Sequence, residues 1–570
     1  MRLKNSKERV GPFTRLLFVL CLLALAGSCR DAASTKQDTI RIWEPYDDAT
    51  EVAQNADHPT ERMRYKLIQS KVMDKNKVFL PLYEEVLSLS EADYKTLAPL
   101  VLEQDIQTLR GHLDAGALSY EQLVLFYLKR IYTYELDNAA TLNTIMALNG
   151  QVVAQARALD QVKAAGKEPK GKHPIYGMPI LLKDNINTEG MPTTAGSIAL
   201  RNNETEDAFI VKRLKEHGAL ILGKVNLSEW AYFMCSGCPV GYSAMGGQTL
   251  NPYGRRIFET GGSSSGSGTA VAANYAVAAV GTETSGSILS PSSQNSVVGL
   301  KPTIGVLSRG GIVPISSTLD TPGPMTKTVA DNAILLSAMM GKDDDDASSV
   351  APLSEVLTST LVPTPVSEMR LGVFIGLMER DSSYAATVEK LRGAGATIVS
   401  FTPPEVSMDG FISILNLDMK TDLPAYLRQH TDTALVRIAG VEDAFAFNKA
   451  DSLVRIPYGQ AVFEGILADT TSAADLGRIK ETLERNGRRY FNEALDGHDL
   501  DAVLSMNNRH AGYAAVAKYP ALTVPMGYRK TGEPVSLTFI GKPFSEAELL
   551  RLGAGFEQQF PMRKMPEAYR

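Results

Sequence analysis

Residues 259–303 read ETGGSSSGSGTAVAANYAVAAVGTETSGSILSPSSQNSVVGLKPT, and the reading of this stretch decides what the chain is built around. Glycine and serine crowd its first ten residues, as in a flexible linker. An alanine- and valine-rich run follows, then a second Gly/Ser/Thr cluster and a proline-containing turn. A linker does not return to order in that way. The pattern predicts two hydroxyl-bearing turns held on a buried element, a helix over residues 267–280 that is apolar on nearly all sides.

Three readings of the glycines and serines compete. A phosphate-binding loop needs a Gly-Lys-Ser/Thr ending, and Gly268 is followed by Thr269. A nucleophile elbow fits the Gly-x-Ser-x-Gly pattern with Ser264 at its centre. That elbow must follow a hydrophobic strand, whereas residues 253–260 (YGRRIFET) are polar, and the downstream histidines His430, His498 and His510 stand in no triad context. A purely structural glycine-rich turn is the third reading.

Outward from this stretch the chain alternates strands and helices. Residues 179–182 form a short apolar run followed at once by Lys183-Asp184-Asn185. Residues 206–217 read as a helix stopped by Gly218, and residues 219–222 as a second apolar run. This is a βαβ unit and implies parallel strands. Open α/β sheets place their sites at the C-terminal ends of such strands, where Lys183 sits. Before it, residues 106–132 predict two helices broken at Gly116, the second capped by Ser119, and residues 146–162 look helical. Beyond it, strands are expected at 370–374, 396–401, 519–526 and 534–540, and helices at 329–340, 384–394, most of 405–500, and 545–560. The acidic run KDDDD at 342–346 lacks the alternation of a calcium loop and reads as a solvated loop.

The chain has 570 residues, 44% of them hydrophobic, and a net charge of -6. Such a balance, with basic residues scattered, argues against a nucleic-acid partner. The N-terminus reads as a processing segment. Arg2, Lys4, Lys7, Arg9 and Arg15 precede the apolar run LLFVLCLLALA at 16–26, too short to span a bilayer. The following AGSC resembles a bacterial lipobox, which implies cleavage after residue 28 and lipidation of Cys29; an ordinary secretory signal is the alternative. Either predicts an exported protein, periplasmic or anchored at the outer membrane. Residues 29–60 suit a tether and 61–104 a helical extension. Two cysteines remain, Cys235 and Cys238, without histidines near enough for a zinc site; an oxidising compartment favours a disulfide between them, with a redox role second.

Long segments in order resemble the amidase signature family: YGMPILLKDNI, GKVNLSEWA, GGQTLNPY, TGGSSSGSG, GTETSGSI, GLKPTIG, SSTLDTPGPMTKTVAD, HAGYAAVAKYPALTVPMGY and PVSLTFIGKPFSEAELL. The likeness covers roughly residues 105–566 and is strongest toward the peptide amidase branch, which removes C-terminal amides. It implies an α/β fold with a mixed, largely parallel central sheet covered by helices on both faces, here domain 105–570 behind the helical extension. It also implies a Ser-cisSer-Lys trio: Lys183, Ser263 on a cis peptide, and the nucleophile Ser287. Backbone N–H groups of Thr284, Ser285, Gly286 and Ser287 are implied as the oxyanion hole. The expected substrate is a small-molecule or peptide amide, and no metal or organic cofactor is implied.

The chemistry follows from the residue types. A serine hydroxyl attacks only when a base takes its proton, and with no histidine in these motifs a neutral lysine must serve. Its reference pKa of about 10.4 therefore has to fall by burial, with Asp184 turned away. Where most relatives have GTDTGGSIR this chain has GTETSGSIL, so that Glu283, Ser285 and Leu289 are departures. Two other functions share the resemblance: the glutaminase subunit of a transfer-RNA amidotransferase, which an export signal argues against, and a non-catalytic lipoprotein on an amidase scaffold.

Overall fold

The computed structural model describes residues 40–354 and 361–570. The chain divides into two units, Met1–Glu44 and Pro45–Arg570, and the second carries the fold. The expected signal segment, Cys29 and the first part of the expected tether lie outside the described residues.

The strands are β1 (Ile145–Leu148), β2 (Pro179–Lys183), β3 (Leu220–Val225), β4 (Tyr242–Ser243), β5 (Gly247–Gln248), β6 (Ala278–Glu283), β7 (Val298–Lys301), β8 (Thr321–Thr326), β9 (Arg370–Phe374), β10 (Thr397–Phe401), β11 (Ala502–Met506), β12 (Ala521–Tyr528) and β13 (Pro534–Ile540). All but the β4–β5 hairpin join one sheet in the order β1-β3-β2-β6-β8-β7-β12-β13-β11-β9-β10. The sheet is mixed, as the family resemblance implies. Parallel pairing runs through β3-β2-β6 on one side and β11-β9-β10 on the other. The pairs between them, and β1 with β3, are antiparallel, a larger share than the βαβ pattern alone suggests. Strands β2, β3 and β6 are buried at every residue, which is why they read as continuous apolar runs.

Helices pack against this sheet, among them Ser265–Ala272 on β6 and Val329–Met339 on β8. The helix Tyr120–Glu135 starts with a capping box, in which the Gln122 N–H donates to Ser119 Oγ and the Ser119 N–H to Gln122 Oε1, both at 3.0 Å. Its Arg130 is fully buried and donates to Asn274 O at 3.1 Å and Ala273 O at 2.9 Å. A buried charge survives only with such partners, and here it ties down the turn that leads into β6.

That turn corrects the expected helix over 267–280. The helix ends at Ala272, Asn274 takes a left-handed φ of +56°, and β6 begins at Ala278. A buried Ala/Val run satisfies a helix and an interior strand equally, and asparagine tolerates the left-handed turn between them. The helix expected over 146–162 is likewise edge strand β1 followed by the helix Val152–Ala164.

Two loops also differ from expectation. In the second half of the expected tether, the helix Ala49–Gln54 docks on the body through Glu51, whose Oε1 pairs with Arg255 Nη1 at 2.6 Å. Asn55 Nδ2 donates to Arg256 O at 3.0 Å. The acidic run at 342–346 is not simply solvated, because Asp343 and Asp346 are buried. Asp346 accepts from the Arg309 N–H at 2.9 Å and Nε at 3.0 Å, while Ser308 Oγ donates to Asp343.

Candidate active site

The parallel pairing of β2 with β6 sets Leu182 opposite Val280, so that Lys183, one residue on, comes within reach of Thr282, two residues beyond Val280. Lys183 is fully buried. Its Nζ donates to Ser263 Oγ at 2.8 Å, to Thr282 Oγ1 at 2.8 Å and to Thr282 O at 3.1 Å. The peptide bond Gly262–Ser263 is cis. Burial lowers the Lys183 pKa to about 7, against the opposing pull of Asp320 and Glu283.

Asp184 turns away from this ammonium. Its Oδ2 accepts from the Thr194 N–H at 3.2 Å and from the Thr194 hydroxyl, and its Oδ1 lies 3.4 Å from Lys224 Nζ. Both members of that pair are buried. Burial raises the Asp184 pKa and lowers that of Lys224, and each charge moderates the other's shift.

Ser264, the alternative nucleophile, is fully buried and its hydroxyl is committed twice. It donates to Thr282 O at 3.0 Å and accepts from the Thr282 N–H at 3.1 Å. This serine pins the second turn to the first, helped by its own N–H donating to Ser287 O at 3.1 Å. The elbow reading fails on that burial, and His510 is occupied with Ser505 at 2.7 Å. Glycine at 261 is required by the packing: φ is +66°, and a Cβ there would stand 2.8 Å from the Pro291 backbone.

Ser287 follows β6 on the turn 284–287 and is half-buried, lining a cleft of about 590 Å³. Among the described residues its hydroxyl has no hydrogen-bond partner. The structure thus joins Lys183 to Ser263 and brings Ser287 beside them through Ser264, without a closed Ser263–Ser287 bond. Such links tighten on substrate binding in many enzymes.

The turn's shape comes from Glu283. Its Oε1 accepts from the Gly286 N–H at 2.7 Å, and its Oε2 from the N–H groups of Ile288 at 2.7 Å and Leu289 at 3.0 Å. This corrects the expected oxyanion hole, since the Gly286 N–H is spent inside the protein on a carboxylate three residues upstream. The N–H groups of Thr284, Ser285 and Ser287 have no acceptor among the described residues. The Thr284 side chain is tied down, its Oγ1 donating to Asp320 Oδ1 at 2.5 Å. Asp320 also accepts from the N–H groups of Ile315 at 2.8 Å and Ser316 at 2.9 Å, and burial raises its pKa to about 6. Leu289, which replaces a family arginine, is buried.

Thr282 and Asp320 belong to the site and were not singled out by the sequence reading. Both lie in quoted motifs, yet nothing in the linear pattern says that they face Lys183. Cys235 and Cys238 are joined by a disulfide with a Cα separation of 5.9 Å, and Cys235 lines the cleft. Among the described residues no group of His, Cys, Asp or Glu is arranged to hold a metal.

Known proteins share this arrangement of elements. A family model described as Amidase matches residues 122–472. A protein described as a probable amidase from Arabidopsis thaliana is 36% identical over 493 residues, 82% of this chain and 92% of its own. The crystal structure of an amidase family protein from Bacillus anthracis superposes with a TM-score of 0.81 at 35% identity, over 88% of this chain and 99% of that one. The native peptide amidase of Stenotrophomonas maltophilia gives a TM-score of 0.75 at 36% identity, over 82% and 99%. On a match of this extent the chain belongs to the amidase family, and it is an amide hydrolase.

Proposed function

We propose that this amidase hydrolyses linear carboxamides, C-terminal peptide amides foremost, through an acyl-enzyme on Ser287. The observation that carries the mechanism is the 2.8 Å bond from a buried Lys183, its pKa lowered to about 7, to Ser263. The likeness to a peptide amidase supports the substrate class.

In the neutral state Lys183 is a base. Ser263 passes the Ser287 proton to Nζ as Ser287 Oγ bonds to the amide carbon. The carbonyl oxygen becomes an oxyanion, and the N–H groups of Thr284, Ser285 and Ser287 are the members of the expected hole left free to meet it; one such donor is worth roughly 3 kcal/mol. The proton then returns through Ser263 to the leaving nitrogen, the C–N bond breaks, and ammonia or an amine departs. Water attacks the ester by the same relay and releases the acid.

An assay of amidated peptides, fatty amides and aryl amides, read as ammonia or amine release, tests the reading. The expected result is turnover of amidated peptides to the free acid with one ammonia each. Turnover confined to aryl amides sinks the substrate assignment.

We further propose that the protein works outside the cytoplasm, held to a membrane by lipidated Cys29. The basic and apolar segment before AGSC supports this. Labelled palmitate should enter the parent protein and not Cys29→Ser; equal labelling of both rejects the anchor.

A further inference from the structure

The cleft beside Ser287 is lined in part by the apolar side chains of Phe233, Phe411, Ile412 and Leu415. A hydrocarbon chain and an apolar amino-acid side chain rest there equally well. Among the polar members of the cleft, Arg62 is already engaged, its Nη2 donating to Glu259 Oε2 at 3.0 Å. Asn508 is not. It lines the same cleft, is exposed, and its side-chain amide has no hydrogen-bond partner among the described residues.

The turn that carries Asn508 is fixed on both sides of it. Its neighbour Asn507 faces β13: the Asn507 N–H donates to Ser536 O at 3.0 Å, and Asn507 Oδ1 accepts from the Ser536 N–H at 2.9 Å. The Arg509 N–H donates to Met506 O and the Ala511 N–H to Asn508 O, each at 3.0 Å. His510 stacks on Phe374 with ring centroids 4.0 Å apart. One free amide is thus presented from an ordered backbone.

It is presented over the nucleophile's own turn. A Cβ on Gly286 would stand 3.0 Å from Asn508 Nδ2 and 3.4 Å from Asn508 Cβ, so the side chain lies across the residue before Ser287. With one further Cα–Cα step, the amide is no more than about 8 Å from the Ser287 Cα. A substrate that releases ammonia puts a single nitrogen at Ser263, and the rest of the cleft, Asn508 included, is left for the acyl part. A carboxamide side chain offers both donors and an acceptor, which match the C=O and N–H of a peptide group. Covered by hydrocarbon, that amide gives up its water and gains nothing in return; covered by a peptide group, it keeps its hydrogen bonds.

We propose that Asn508 is a specificity residue that hydrogen-bonds the acylamino group next to the scissile amide. The enzyme then favours N-acylated amino-acid and peptidyl amides over plain aliphatic amides that fill the same apolar surface. This inference rests on the reading that amides are cleaved at Ser287 with release of ammonia.

Calorimetric titration of full-length Ser287→Ala protein, which holds an amide without turning it over, tests it with N-acetyl-leucinamide and 4-methylpentanamide. The two ligands share the carboxamide and the branched chain and differ only in the acetamido group. The Ser287→Ala protein should bind the first at least about tenfold more tightly. Adding Asn508→Ala should weaken the first about tenfold and the second by less than about twofold. Should that variant not fold, Asn508→Ser, which removes the amide and keeps a polar side chain, takes its place with the same expectation. The proposal is refuted if both ligands weaken together, if neither weakens, or if the Ser287→Ala protein binds the two alike. Ammonia release by the unaltered enzyme is scored apart: turnover of neither amide overturns the hydrolysis reading, and the binding ratio still judges Asn508.

Discussion

Ser287→Ala lowers kcat on an amidated peptide by on the order of 10⁴- to 10⁶-fold, the loss seen when a unit of linked catalytic groups is broken. Folding is expected to survive almost unchanged. The Ser287 hydroxyl has no partner among the described residues, and the turn is held instead by the Ser264 N–H on Ser287 O and by Glu283 on three N–H groups. A substitution that strands no buried polar group costs within about 0.5 kcal/mol. Steady-state ammonia release beside thermal denaturation measures both quantities. A variant that keeps turnover within tenfold of the parent, or that gains its loss only by unfolding, removes Ser287 as nucleophile.

Lys183→Met should be as severe in activity, and in the parent the lysine leaves a pH signature. The base acts neutral, so kcat/KM climbs as pH rises through about 7, where burial has brought its pKa, and falls below that. The same shift acts on stability. Between about 7 and the unfolded value of 10.5, the unfolded chain holds a proton on this lysine that the folded chain lacks. Raising pH across that window therefore favours the folded state through Lys183. Asp320 is the largest charge opposing the shift, so Asp320→Asn should move the activity limb to lower pH. A profile indifferent to that change, or a limb unmoved from the ordinary lysine range, removes the neutral-lysine mechanism.

Much of the site was legible because its determinants are local. Lys183 closes a fully apolar strand, and a charge at that boundary is visible in a short window. The glycines and serines at 261–268 announce a tight approach even before their partners are known. What stayed hidden depended on contacts across the chain. Ser264 and Ser263 are adjacent, chemically identical and equally buried; only their partners, Lys183 for Ser263 and Thr282 for Ser264, set their duties apart. The Ala/Val run after Ala272 carries no period that tells a buried helix from a buried strand, and β6 emerged from what read as helix. Gly286 was legible as a turn residue, whereas the loss of its N–H to Glu283 depends on where a flexible side chain comes to rest. Arg62 gave no sign of facing the cleft, because its segment has polar composition and no motif.

The strand order has a consequence for how the enzyme comes into being. Strands β12 and β13, near the end of the chain, are the seam between β7 on one side and β11 on the other. Arg563, later still, pairs with Glu103 at 2.8 Å, and the Tyr569 carbonyl accepts from Arg130. A growing polypeptide thus carries Lys183, Ser263 and Ser287 long before it can close the sheet on which they stand. Contacts so distant in sequence are slow to form. Competence arrives only after β12 and β13 have been made, and a product of translation that stops short of them is expected to be inert.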